Sequence, residues 1–214
     1  MSDPGRRIIA VDGPAASGKT TLARRLAIHF GLDFLDTGLL YRAVAWKLLC
    51  ADTHFTDVTS AAAAARTVTA DDLDPIRLRS DRLSQGSSMV AAIPEVRQAL
   101  LGFQRRFGEE GPGAVLAGRD IGTVVRPDAS HKIFVTATVE ERARRRCREL
   151  QALGVPIIYD EVLANLQERD ARDRLRAVAP LAPASDAFVI DTTEQDIDTA
   201  FEIARAYVAA PARG

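Results

Sequence analysis

The chain predicts an α/β fold built on one parallel sheet, and three observations predict it. Short apolar runs alternate with stretches of helical period along most of the 214 residues. The loops between them are short, and such alternation implies parallel strands with right-handed crossovers. Residues 13–20 read Gly-Pro-Ala-Ala-Ser-Gly-Lys-Thr, an intact G-x-x-x-x-G-K-[ST] loop between the first apolar run and the first helical stretch. A chain of this length buries one substantial core, and 47% hydrophobic with 27% charged residues excludes disordered and fibrous classes.

Ile8 to Val11 is the first strand, and Gly18 to Phe30 continues as a helix with Leu22, Leu26 and Phe30 on one face, ended by Gly31. Leu32 to Leu35 reads as a second strand. Gly38 to Ala51 reads as a helix that turns Leu40, Val44, Trp46 and Leu48 to the core. From Asp52 to Gly86 the pattern weakens. The alanines 61–65 predict a small helix, Asp71 to Gln85 is charged without a period, and a mobile excursion is expected. Pro94 suits the first turn of a helix running to about Phe107, with Gly108 to Gly113 as a turn-rich exit. Ala114 to Ala117 and Lys132 to Val135 are further strands, each followed by polar residues where a parallel sheet puts its ligands. Thr138-Val-Glu-Glu predicts a capping box for a helix reaching Leu153. Another helix runs from about Asp160 to near Arg176. Phe188 to Ile190 is the last strand, and Ile197, Phe201, Ala204 and Val208 mark the closing helix.

Net charge is −1, so no global field draws the chain to nucleic acid or to an anionic membrane, and any anion site is local. Lysine occurs only at positions 19, 47 and 132, which makes Lys19 a scarce residue in the place a phosphate loop needs it. Cys50 and Cys147 form no C-x-x-C pair or disulfide framework and read as reduced structural residues. The short polar start at residues 1–7, with no apolar run near membrane-spanning length, predicts a cytoplasmic protein without a membrane partner. The lack of an exposed hydrophobic repeat points to a monomer.

In the G-x-x-x-x-G-K-[ST] loop, backbone N–H groups of Gly13, Pro14, Ala15, Ala16, Ser17 and Gly18 (proline itself lacking one) curl around phosphate oxygens, and the following helix aims its positive end at them. Lys19 then neutralises the outer phosphates, Thr20 holds Mg²⁺, and Thr21 follows on the helix. The stretch Glu168 to Arg176 has two readings. It is either a solvated helix laced with i,i+4 pairs, or a cation stripe in which Arg169, Arg172, Asp173 and Arg176 share a face while Asp170 and Arg174 lie beside it. The arginines 142, 144, 145, 146 and 148 spread around their helix, so that some are expected to reach ATP when a lid closes and most read as surface. Gly118-Arg119-Asp120 and Asp36-Thr37-Gly38 both follow strands at the ligand edge of the sheet, with Thr37 as a candidate helix N-cap.

Taken together, Ile9 to Thr20, Asp36 to Arg42, Ser88 to Arg97, Gly118 to Val125 and Glu168 to Leu181 resemble bacterial cytidylate kinases over nearly the whole chain. The resemblance implies a P-loop nucleoside monophosphate kinase fold, a five-stranded parallel sheet flanked by helices. The core would span about 7–51, 113–145 and 177–210, with a monophosphate-binding excursion at about 52–112 and a lid at about 146–176. The implied reaction converts ATP plus CMP or dCMP to ADP plus CDP or dCDP with Mg²⁺. Carried over by position, Ser88, Arg97 and Asp120 read the base, Asp173 and Arg169 meet the ribose, and Thr37 and Tyr41 lie along the sugar. Arg42, Arg119 and Arg176 hold the acceptor phosphate, with Lys19, Arg119 and Arg176 acting in catalysis. An adenylate or shikimate kinase would lack the combined Ser88, Arg97 and Asp120 set, and no Asn-Lys-x-Asp guanine signature is present. Two departures stand out. Ala117 occupies a position that is commonly acidic in the family, which transfers a metal role to Asp36. The excursion between Tyr41 and Ser88 is short, so its small antiparallel sheet is expected to be reduced or absent.

Overall fold

The computed structural model describes residues 7–109 and 111–210. The polar start before Arg7 and one residue of the Gly108–Gly113 turn lie outside them. Five parallel strands, β1 (Arg7–Asp12), β2 (Asp33–Asp36), β3 (Gly113–Gly118), β4 (His131–Thr136) and β5 (Phe188–Asp191), form one sheet in the order β2-β3-β1-β4-β5. The central strand β1 is buried on both faces. Alternation of side chains sends Ile8 and Ala10 into one core and Ile9 and Val11 into the other.

Helices α1 (Lys19–Phe30) and α8 (Ile197–Ala209) cover one face through Leu22, Leu26, Ala204 and Val208. Helices α2 (Thr37–Cys50), α3 (Val58–Arg66) and α5 (Pro94–Arg106) cover the other, with Leu40, Val44, Leu48, Val96 and Leu100 buried. The irregular stretch after Asp71 is more ordered than its composition suggests. Ser80 caps α4 (Asp81–Val90), and Leu78 and Leu83 pack on the outer side of α2. Trp46 joins that outer cluster, half-buried, instead of the main core. Every strand among the described residues belongs to the one parallel sheet, so the excursion carries helices only.

Helices α6 (Val139–Gln151) and α7 (Tyr159–Leu175) form a hairpin. The expected capping box on α6 is half made. Thr138 Oγ1 accepts from Glu141 N at 3.4 Å, while the Glu141 carboxylate turns to Arg144, Arg145 and Arg148. The arginine cluster is not uniformly surface either. Arg142 is buried, with its guanidinium donating to Ala137 O at 3.0 Å, to Ala15 O at 3.2 Å and in a fork to Asp170. Cys50 is exposed and Cys147 partly so, which removes a packing role for Cys50. No helix among the described residues is long and apolar enough to cross a membrane.

At the C-terminal end of β3 the chain turns tightly. A Cβ on Gly118 would stand 2.7 Å from both Ile121 Cδ1 and Thr37 Oγ1, so only glycine fits. Gly118→Ala is expected to cost about 1–3 kcal/mol through overpacking. A lowered urea midpoint at unchanged m-value would register it, and an unchanged midpoint would contradict the packing described.

Candidate active site

The ends of β1, β2 and β3 open onto a single cleft roofed by α4 and α7. After Asp12 the chain must pass beneath β4, and a Cβ on Gly13, at φ +151°, would lie 2.0 Å from Val135 O. The glycine lets the loop through. Ala15, Ala16, Gly18, Lys19, Thr20 and Thr21 line the cleft, whereas Gly13, Pro14 and Ser17 form the loop's back. Pro14 O accepts from Lys19 Nζ at 3.1 Å, and Ser17 O accepts from Thr192 Oγ1 at 3.2 Å. Burial, then the Arg119 guanidinium, hold the Lys19 ammonium well below its ordinary pKa. An incoming polyphosphate reverses that balance.

Asp36 caps α2 by accepting from Gly38 N at 2.9 Å, and its other oxygen lies 3.5 Å from Thr20 Oγ1. Thr37 is therefore not the cap. It is buried and donates to Ala117 O at 2.9 Å, tying α2 to β3. The Thr20 and Asp36 oxygens are hard donors at the mouth of the loop. Among the described residues no group of three or more His, Cys, Asp or Glu side chains is arranged to hold a metal. Two protein oxygens supplemented by phosphate and water suit Mg²⁺, which rarely takes an all-protein cage.

All the other residues expected in the site line the same cleft: Tyr41, Arg42, Ser88, Arg97, Arg119, Asp120, Arg169, Asp173 and Arg176. Their charges divide into two groups. Lys19, Arg42, Arg119 and Arg169 crowd one another beside the loop. Burial and then Arg119 lower Arg169 to about 9, and burial lowers Arg42. At the far end Arg97 and Arg176 flank Asp120. Arg97 forms a buried ion pair with one carboxylate oxygen, and Arg176 Nη2 reaches the other at 3.3 Å. Arg97 also lies over the Tyr41 ring, 5.6 Å from its centroid. Asp173 bridges the two groups, accepting from Ser88 Oγ at 2.9 Å and Arg119 Nε at 3.0 Å. Burial raises the Asp173 carboxyl, and Arg119 with Arg169 outweigh that and hold it below the ordinary carboxylate value.

Two arginines of the expected cation stripe stand apart from its helical pattern. Arg176, expected on the acceptor phosphate, has its guanidinium on Asp120 and Ala179 O, among the base-end residues. It is also no longer helical, at φ −62° and ψ 140°, so periodicity does not explain its position. Arg172 does not line the cleft and pairs with Glu168 outside it, while Arg174 is exposed as expected. The sequence gives no sign of Ser84 and Glu149, which line the cleft from α4 and α6, and of the arginine cluster on α6 it is Arg146 that lines it. Sequence reasoning also missed Asp12, a buried carboxylate that accepts from Ile121 N and Gly122 N, both at 2.8 Å. A charged residue ending an otherwise apolar strand was the available signal.

A phosphate loop facing a second, arginine-lined group of residues across one cleft is the arrangement of a kinase that transfers a phosphoryl group. Comparison with known proteins agrees in detail. The family model described as cytidylate kinase matches residues 9–209. The chain is 58% identical over 200 residues to a cytidylate kinase of Paramagnetospirillum magneticum, covering 92% of this chain and 95% of that protein. It is 57% identical over 209 residues to one of a Methylobacterium species, covering 97% and 100%. The chain belongs to the cytidylate kinase family and is a nucleotide kinase. Among solved structures, a shikimate kinase from Bacteroides thetaiotaomicron superposes with a TM-score of 0.50 at 11% identity, over 95% of this chain and 99% of that one, a likeness of fold alone.

Burial dominates the Asp12 carboxyl and raises it to about 7, against the two N–H donors that lower it. The folded protein thus holds a proton that the unfolded chain releases near the ordinary value of 3.8. Between these values stability falls as pH rises, by on the order of 1 kcal/mol per pH unit from this group. Urea midpoints of wild type minus those of Asp12→Asn, measured from pH 4.5 to 8, should show this fall, since the depressed Lys19 and His131 act in the opposite direction in both proteins. A difference that does not change with pH would contradict the assignment.

Proposed function

We propose that the protein transfers the γ-phosphoryl group of ATP to CMP or dCMP, giving ADP and CDP or dCDP. The observation that carries this reading is the Arg97–Asp120–Arg176 cluster, buried at the far end of the cleft from the phosphate loop with Ser88 nearby. Cytosine offers an N4 amino donor and an unprotonated N3 acceptor, whereas uracil reverses both. A carboxylate accepting from N4 and a guanidinium donating toward N3 and O2 fit cytosine only.

In this reading the ATP phosphates lie in the loop of residues 13–21, with their charge met by Lys19. Thr20 and Asp36 would hold Mg²⁺, which neutralises and orients the phosphates when bound. Asp173, Ser88 and Arg169 face the ribose, with Thr37 and Tyr41 along the sugar, and Arg42 and Arg119 hold the acceptor phosphate. In this reading Arg176, whose guanidinium lies beside Asp120, serves the base instead of the phosphate. An oxygen of the CMP phosphate attacks the γ-phosphorus, the bond to the bridging oxygen breaks, and ADP leaves with the electron pair. The attacking phosphate is already an anion, so no general base is required. Catalysis is positioning and charge neutralisation, for which Lys19 and Arg119, each the other's close cationic neighbour, flank the transferred group. The excursion at about 52–112 and the lid at about 146–176 close over the nucleotides around a core of 7–51, 113–145 and 177–210. The reading includes a monomer in the cytoplasm, acting on small nucleotides without a nucleic-acid or membrane partner.

A coupled assay of ADP formation with CMP, dCMP, UMP and AMP tests this directly. CMP and dCMP should give the highest kcat/KM, and a preference for AMP would overturn the proposal. Asp120→Asn replaces an acceptor by a donor, so the preference for CMP over UMP should shrink by about 1–3 kcal/mol. Equal losses with both substrates would make Asp120 structural.

The two cation groups predict different kinetic losses. Arg119→Ala should act mainly on kcat, because a cation beside the transferred group is felt most in the transition state. Arg176→Ala should act mainly on the KM for CMP, and the exposed Arg174→Ala should change little. A larger kcat loss in Arg176→Ala than in Arg119→Ala would return Arg176 to the phosphate.

A further inference from the structure

Asp12 is buried behind the cleft, ends the central strand, and does not line the space where nucleotides fit. It is held on both sides by the sheet, in register with Gly118 of β3 and Phe134 of β4. Its two carboxylate oxygens are each used once, Oδ1 on Ile121 N and Oδ2 on Gly122 N. Those two N–H groups follow Asp120 immediately in the chain.

The Ile121 N–H shares a peptide plane with the Asp120 carbonyl. That carbonyl accepts from Val124 N at 2.9 Å and Val125 N at 3.1 Å, opening the π-turn of residues 121–125. One edge of the plane is thus fixed by Asp12 and the opposite edge by the turn. Asp120 itself stands at φ −144° and ψ 25°, outside the helical and strand regions, so neither regular structure fixes its Cα–Cβ direction. On the far side of Gly122 the Lys132 stem closes the gap. A Cβ there would lie 3.2 Å from Lys132 Cδ and 3.5 Å from Asp12 Oδ2.

We propose that Asp12 is a positioning residue for base selection, clamping the peptide after Asp120 so that the Asp120 carboxylate is aimed at the base by a side chain that never reaches it. The proposal rests on the reading of Asp120 as the cytosine reader. It differs from the ordinary role expected of a residue next to Gly13, which would be to shape the phosphate loop and so govern ATP. Burial keeps the Asp12 carboxyl near neutrality in its titration, with Asp120 raising it and Arg119 lowering it, so the clamp is costly to hold ionised.

Asp12→Asn, assayed at pH 8 where the wild-type Asp12 carboxyl is ionised and accepts at both oxygens, tests the proposal. The amide keeps one acceptor but turns an NH₂ toward the second N–H, a donor facing a donor. The ratio of kcat/KM for CMP to that for UMP should fall about tenfold, chiefly through the KM for CMP, while the KM for ATP stays within about twofold, because a mis-aimed reader loses discrimination and not phosphate binding. A rise in the KM for ATP with the CMP-to-UMP ratio preserved would overturn the proposal and make Asp12 a prop of the phosphate loop. Unchanged kinetics would overturn it as well. If the wild type itself fails to prefer CMP, it is the assignment of the substrate that falls, a result distinct from either. Should Asp12→Asn fail to fold, Gly122→Ala crowds the same segment against the Lys132 stem, 3.2 Å from Cδ, while its Cβ stays in ordinary contact with the Asp12 carboxylate and leaves it in place. The ratio should shrink there too, by at least about threefold on the same argument, and a wild-type ratio in that variant would overturn the proposal.

Discussion

Uncompensated positive charge in the cleft is the constraint on which the rest of the structure depends. Lys19, Arg42, Arg97, Arg119, Arg146, Arg169 and Arg176 line it against Asp36, Asp120, Glu149 and Asp173. The surplus is gathered beside the phosphate loop, where burial and mutual repulsion depress both Lys19 and Arg169. A protein whose formal net charge is −1 has no global reason to concentrate cations there. Nucleotide phosphates remove the repulsion, so the binding energy of the charged groups is felt where charge moves during transfer.

Holding such a cluster together requires rigid supports that do not themselves face the ligand. The sheet supplies the first, since the loop, Asp36 and Gly118-Arg119-Asp120 all leave strand ends at one edge. Buried polar side chains supply the second. Arg142 joins the loop carbonyl of Ala15 to Asp170 on α7, the helix that carries Arg169 and Asp173. Thr37 joins α2 to β3, and Asp12 joins β1 to the segment after Asp120. Each of these is a long-range bond between elements that short-range sequence patterns treat separately.

That distinction explains what the sequence made legible. All five strands and the long helices were readable, because apolar runs and a 3.6-residue period are local signals. The convergence of the phosphate loop, Asp36-Thr37-Gly38 and Gly118-Arg119-Asp120 was readable too, since each follows a strand at the ligand edge, whereas Ser88, Arg97, Arg169 and Asp173 come from helices with no such local signal. The helix Asp81–Val90 was not readable, because Gly86, Ser87 and Ser88 make up most of its buried face and leave no apolar period, and Leu78 and Leu83 pack on a second small cluster outside the main core. Arg176 follows the last residue of its helix, so its place beside Asp120 is set by the C-cap backbone and not by the helical period. Arg142 and Asp12 look like ordinary charged residues in sequence, and only their burial and long-range partners distinguish them.

The direct test of the charge account compares CMP with cytidine, which share base and ribose and differ in the phosphate. If unneutralised cations organise the cleft, CMP at about a hundredfold over its Kd should stabilise the folded state by roughly 2.7 kcal/mol. Thermal melts should show that gain diminishing with added salt, with little shift from cytidine at the same concentration. Equal stabilisation by cytidine and CMP, unaffected by salt, would contradict the central role of the buried positive charge.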